Sequence, residues 1–210
     1  MIVRPDELTE KGFVLLDKLE HKELIPFIKI YIKKRTKYSI VYNLSNFLIF
    51  GLVGYLFMIG FKQPDFDFGN RLTHFSFGLA IAFLLVPLHE YIHVLAYKSQ
   101  GATNTSYDVN LKKFYFMALA DKFVANKKEF EIVALAPFVI ITSILTILFF
   151  IVNPNWNLTI FGILLMHTAM CSGDFGLLSY FEFNNDKQVV TYDDIENKIS
   201  YFYGLTSESK

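Results

Sequence analysis

Disulfides are excluded at the outset, because the 210-residue chain has one cysteine, Cys171. A single thiol can neither pair internally nor build a thiolate metal cluster by itself. Net charge is missing too: 20 basic and 20 acidic residues cancel, which argues against nucleic acid as a partner. The first residues lack the short apolar core of a cleavable signal peptide. Arg4, Asp6, Glu7, Glu10 and Lys11 stand there instead, so membrane insertion is expected to rely on an internal span. No internal repeat is evident.

What the chain has in excess is apolar residues. It is 53% hydrophobic with 23 Phe, and its mean hydropathy is +0.35. That is too apolar for an ordinary soluble domain. Four long apolar runs stand out, at about 40–61, 72–97, 130–152 and 158–181. At 1.5 Å rise per residue, each helix can cross a hydrocarbon core roughly 30 Å thick. Tyr97, Trp156 and Tyr180 fall at run ends, where interfacial aromatics belong. Lys and Arg number nine in residues 1–39, two in 61–72, six in 98–129, none in 153–157 and three in 182–210. Rich and poor segments alternate, so the positive-inside rule predicts four spans, with both termini and the 98–129 loop cytoplasmic.

The flanks carry local structure. Asp6, Glu7 and Glu10, followed by Phe13, Leu16 and Leu19, predict an N-terminal helix within a cytoplasmic segment 1–39. The stretch from Pro26 to Ile32 is ambiguous between helix and strand. Lys33-Lys34-Arg35-Thr36-Lys37 sets orientation and touches anionic lipid. In the loop, Tyr107, Val109 and Leu111 alternate with polar residues before Phe114-Tyr115-Phe116-Met117, which predicts a small β-hairpin turning at Lys112-Lys113. Asn126, with Glu129 three residues on, is placed to cap the third span. In the tail 183–210, Thr191-Tyr192-Asp193-Asp194 resembles a capping box, and Ile195, Ile199 and Phe202 form a stripe ending at Gly204. That pattern predicts a C-terminal cytoplasmic helix. The expected fold class is therefore an all-α membrane protein: a four-helix domain over 40–182, a small cytoplasmic β-hairpin and helical cytoplasmic termini.

Inside the second run lies His89-Glu90-Tyr91-Ile92-His93. On a helix, positions i and i+4 share a face, so both imidazoles can address one ion while Glu90 stays free to work as a base. The pattern alone arises by chance in about one chain in a hundred of this length. Its setting makes it specific, since ionisable groups in a bilayer cost about 2.5–3.5 kcal/mol each and need partners. Pro87 leaves the carbonyl of Phe83 without a helical donor, which predicts a kink just before the motif. A hydrolytic zinc usually takes a third protein ligand, and His21, His74, His167 and Asp174 are the candidates. Asp174, in Cys171-Ser172-Gly173-Asp174-Phe175-Gly176, matches the depth of His89 and His93; His74 lies at the opposite end of its run and His21 in the polar segment. His167 sits about 10 Å deeper on nearly the same face as Asp174, as a supporting group or an alternative ligand. Cys171 reads as a buried structural thiol.

These residues resemble the site-2 protease group, in which an intramembrane His-Glu-x-x-His is completed by an Asp from a later span. Ala134-Leu135-Ala136-Pro137 resembles the Ala-Gly-Pro-like element that opens the span between them, though it has no Gly, and Ser172-Gly173-Asp174-Phe175-Gly176 replaces the usual Leu-Asp-Gly. The chain is more similar to a bacterial family of small four-span membrane proteins described as zincin peptidases. The likeness covers about residues 40–182. It implies Zn2+ held by His89, His93 and Asp174, with Glu90 as the catalytic base that activates a zinc-bound water. The implied function is zinc-dependent peptide hydrolysis in or beside a membrane, with lipids and a membrane-protein or peptide substrate as partners, in a bacterial cytoplasmic membrane. Two other classes stay open on the residues alone: a metal-pinned scaffold without catalysis, and a metal or proton transporter, which the lack of repeats disfavours.

Overall fold

A computed structural model describes residues 4–62, 67–110 and 115–205. Its helical part begins with α1 (Leu24–Tyr31) and α2 (Lys37–Gly60). Thr36 caps α2 by accepting from the Ser39 amide, while Ser39 returns a bond to the Thr36 amide. Helices α3 (Phe68–Leu84) and α4 (Val86–Ser99) are bent by 43° at Leu85. The kink expected from Pro87 is there: the proline occupies the second position of α4, where its missing N–H costs least. Helix α5 (Lys127–Ile151) starts at the Asn126–Glu129 capping box, as expected. Helices α6 (Asn157–Met170) and α7 (Ser172–Phe183) meet at a 41° bend around Cys171, where Ser172 and Gly173 follow one another.

Among the described residues, α2 and α5 are each long and apolar enough to cross a membrane, and the bent pairs α3–α4 and α6–α7 pass the same test as units, giving two to four spans. Only 6% of the most apolar stretch of α2 is buried by protein. Phe47, Phe50 and Phe150 are 72%, 66% and 78% exposed, an outward apolar surface that suits lipid. The chain is accordingly a membrane protein.

The termini are not helical, which corrects the all-α expectation. Residues Phe13–Glu20 form strand β1, and Val190–Asp194 and Ile199–Leu205 form β5 and β6. With β4 (Ala125–Asn126) they make an antiparallel sheet in the order β1-β6-β5-β4. The predicted N-terminal helix is only a 3-10 turn at Pro5–Glu7, stopped by Gly12 at φ +82°. The helix-like spacing of Phe13, Leu16 and Leu19 comes from a bulge between Leu15 and Asp17, which inserts a residue and shifts the inward-facing parity. In the tail, the predicted cap Thr191-Tyr192-Asp193-Asp194 is strand β5 itself. In β6 the buried positions are Ser200, Phe202 and Gly204, and the small inward residues hide the alternation. The turn joining the two strands ends at Lys198 with φ +55°.

The expected hairpin does form, as β2 (Thr105–Asn110) paired with β3 (Tyr115–Ala120); its expected turn at Lys112-Lys113 lies outside the described residues. Because β1 precedes α1 and α2, β4 precedes α5 and β5 follows α7, the sheet gathers three polar segments at one end of the helices. An aromatic cluster binds it there: Phe27 of α1 and Phe202 of β6 lie 5.0 and 4.9 Å from Tyr180 of α7, centroid to centroid, and the Tyr180 hydroxyl donates to Asp17 at 2.7 Å.

At the heart of the helices, α3 and α6 touch backbone to backbone. A Cβ added at Gly78 would stand 2.1 Å from the Thr159 carbonyl oxygen, and one at Gly162 would stand 2.5 Å from that of Phe75. Small residues let membrane helices approach this closely. Gly78→Ala is expected to lower stability by about 1–3 kcal/mol or more, because backbone has to move. Gly51→Ala, where nothing lies within 4 Å, serves as the neutral comparison. Thermal unfolding of both variants in detergent measures the difference.

Candidate metal centre

One turn of α4 places His89 and His93 on the same face, with their Nε2 atoms 3.1 Å apart. The bend at Cys171 starts α7 beside them and turns Asp174 inward. Its Oδ2 lies 3.4 Å from His89 Nε2 and its Oδ1 3.2 Å from His93 Nε2. The two histidines are 8% and 7% exposed. His93 Nδ1 lies 2.9 Å from the Val133 carbonyl oxygen, which only accepts, so Nδ1 carries a proton and, in the neutral ring, Nε2 presents a lone pair.

That carbonyl is available for a local reason. Pro137 sits inside α5 four residues after Val133 and has no N–H to give it. The proline of the Ala134-Leu135-Ala136-Pro137 element thus frees the acceptor that orients a histidine. On the other side, His89 Nδ1 lies 3.3 Å from His167 Nε2. Donation from His89 to His167 turns a second lone pair towards Asp174. With both rings neutral in this tautomer, two imidazole lone pairs and a carboxylate face each other. A cation relieves that contact, and two nitrogens with one carboxylate oxygen are a zinc donor set.

Glu90 is held apart from this contact. Its Oε2 accepts from the Ala118 amide of β3 at 2.7 Å, and a carboxylate oxygen lies within 4.8 Å of ring nitrogens of His89 and His93. Neither the Val133 carbonyl nor the Ala118 amide was anticipated from the sequence. Pro137 signals the first; the second has no signal, because any residue offers an amide. His74 is elsewhere, against Thr159 Oγ1 at 3.1 Å and the Trp156 ring at 5.0 Å. His21 pairs with Asp108 and stays out of the cluster. His167 and Cys171 form a second possible donor group with His89, their ligand atoms within 4.8 Å of one another. A cavity of about 450 Å³ reaches His89, Glu90, His93 and Asp174, and α1, β3 and the terminal sheet contribute to its walls.

A family model described as "Putative zincin peptidase" matches residues 82–187, half of the chain. The chain belongs to this family. The matched stretch of this zincin-family protein begins at the end of α3 and holds His89, Glu90, His93 and Asp174. Membership points to metallopeptidase activity and to zinc. No curated protein and no solved structure matches the chain.

If Pro137 keeps Val133 free for His93, Pro137→Ala returns a helical donor to that carbonyl. Zinc affinity is expected to fall about 10–100-fold, as for other groups that orient a ligand. Helix α5 meanwhile gains about 3 kcal/mol of intrinsic propensity, so stability should not fall. Chelator competition and unfolding, measured on one preparation, separate the two effects.

Proposed function

We propose that this protein hydrolyses peptide bonds within or beside a membrane, with zinc held by His89, His93 and Asp174 and with Glu90 as the catalytic base. The observation that carries the reading is the convergence of those three side chains, 3.1–3.4 Å apart, next to a separately anchored Glu90. Zinc in such a site supplies Lewis acidity towards a carbonyl oxygen and makes a water acidic enough to react near neutral pH. Glu90 takes the proton of the attacking water on a carboxylate oxygen and later returns it to the leaving amine nitrogen. The Ala118 amide holds Glu90 Oε2, so the carboxylate keeps one orientation through both transfers. His93, through Val133, and His89, through His167, keep their rings turned towards Asp174. The cavity reaching Glu90 favours a catalytic centre over a closed metal pin between α4 and α7.

Glu90→Gln keeps shape and the bond from Ala118 but cannot accept a proton. It is expected to lose about 10²–10⁴-fold in rate while keeping fold and zinc. His89→Ala should be inactive through loss of zinc. Cleavage of single-span membrane substrates by wild type and both variants, with zinc measured in each, is the test; equal cleavage by Glu90→Gln removes it as the base.

The proposed topology has four spans, with the terminal sheet and the β2–β3 hairpin on the cytoplasmic side. Its support is that the sheet gathers at one end the three segments richest in Lys and Arg. In a Cys171→Ala background, an impermeant thiol reagent on intact cells should label Asn155→Cys and spare Lys122→Cys. The opposite pattern inverts the orientation.

A further inference from the structure

The cavity that reaches the metal centre is also lined by His21, Asp193 and Ser200, which the proposed reaction does not use. His21 precedes α1, whereas Asp193 and Ser200 belong to β5 and β6, outside the stretch matched by the family. His21 is 3% exposed, and its Nδ1 lies 2.9 Å from Asp108 Oδ2. Asp108 is neutralised by Lys198 Nζ, 2.9 Å from its Oδ1, and offers His21 only lone pairs. Nδ1 therefore carries a proton, and in the neutral form of the ring Nε2 is an acceptor on the far side. That Nε2 is buried and has no hydrogen-bond partner. A buried polar atom left unpaired costs about 1–3 kcal/mol, so it calls for a ligand.

Asp193 is the second acceptor on this wall. Its Oδ1 accepts from Ser200 Oγ at 2.6 Å, and Oδ2 has no side-chain donor among the described residues. Asp121 lies beside it across a parallel bridge, and no Lys or Arg pairs with Asp193 among the described residues. Burial pushes the Asp193 carboxyl up to about 6, against the pull of Ser200 and of His21 in its charged form; Asp121 pushes the same way as burial. The hydroxyl protons of Thr191 and Ser200 are already used: Thr191 Oγ1 donates to the Tyr201 carbonyl oxygen and Ser200 Oγ to Asp193. His21 Nε2 and the Asp193 carboxylate thus supply acceptor atoms to this part of the wall.

We infer that His21 Nε2 and Asp193 form a cation subsite of the cavity, which binds an ammonium or guanidinium group of the peptide substrate. The inference rests on the peptidase reading and adds a substrate class to it. The rest of the wall includes Leu24, Ile25, Ile28, Phe116, Met117 and Leu177, so the ligand is an apolar segment with one cationic group. A membrane-spanning segment followed by Lys or Arg on its cytoplasmic side has that composition. A free α-amine offers the same N–H chemistry, and the two sources are separated below.

The test is binding to full-length Glu90→Gln protein in nanodiscs, so that turnover does not interfere. The probes are fluorescein-labelled apolar peptides: acetyl-capped with a single Lys, acetyl-capped with norleucine in its place, and the norleucine peptide uncapped. The Lys peptide should bind about tenfold tighter than its capped norleucine partner, the strength of one charge-assisted bond. Adding Asp193→Asn should bring that preference within about twofold and leave norleucine binding unchanged, because the amide still accepts from Ser200. His21→Ala also removes the tie to Asp108, so the nearly isosteric Asp193→Asn carries the decision. If the uncapped norleucine peptide matches the Lys peptide, the α-amine is the cation read. Equal affinity for all three probes, no binding by any, or a preference that survives Asp193→Asn overturns the subsite. A cation preference in a wild-type protein that cleaves nothing would instead overturn the peptidase reading and leave the subsite standing.

Discussion

Two imidazole nitrogens and a carboxylate face one another inside an apolar helical bundle, and the neighbouring structure is arranged around that contact. His89 Nε2, His93 Nε2 and the Asp174 carboxylate are 3.1–3.4 Å apart. Ionisable groups in such surroundings are costly unless they share a partner, and a divalent cation satisfies all three together. Each support acts on this contact from a different element. Pro137 frees the Val133 carbonyl for His93, His167 stands behind His89, and the bend at Cys171 brings in Asp174. None of these groups has to touch a metal to decide where the ligands point.

The parts outside the helices complete the cavity around the centre. The hairpin anchors Glu90 through one amide, and the terminal sheet contributes Thr191, Asp193, Ser200 and Phe202 to the cavity wall. Aromatic contacts among Phe27, Tyr180 and Phe202 tie that sheet to α1 and α7, so the wall and the metal centre share α7 as a common support. The backbone contact of α3 with α6 fixes the helices from within and leaves α4 to present its motif.

Much of the site was legible in the residues. The i, i+4 histidines, the kink before them and the placing of Asp174 beside them, with His74 and His21 elsewhere, followed from spacing and depth. The Asn126 cap and the β2–β3 hairpin followed from turn and cap chemistry. The terminal sheet did not, because a bulge near Leu16 gave β1 a helical spacing and because β6 turns Ser200 and Gly204 inward. Backbone partners such as the Ala118 amide have no side-chain signature, so only the fold brings them to light. Pro137 was visible as part of an element; its role became readable only once His93 stood opposite Val133.

The most direct test of the central claim is X-ray absorption at the zinc edge of purified, zinc-loaded protein. Coordination by His89, His93 and Asp174 predicts a shell of nitrogen and oxygen at about 2.0–2.2 Å with imidazole scattering from two rings and no sulfur. A zinc–sulfur distance of about 2.3 Å would contradict it, because that places the metal with His89, His167 and Cys171 instead.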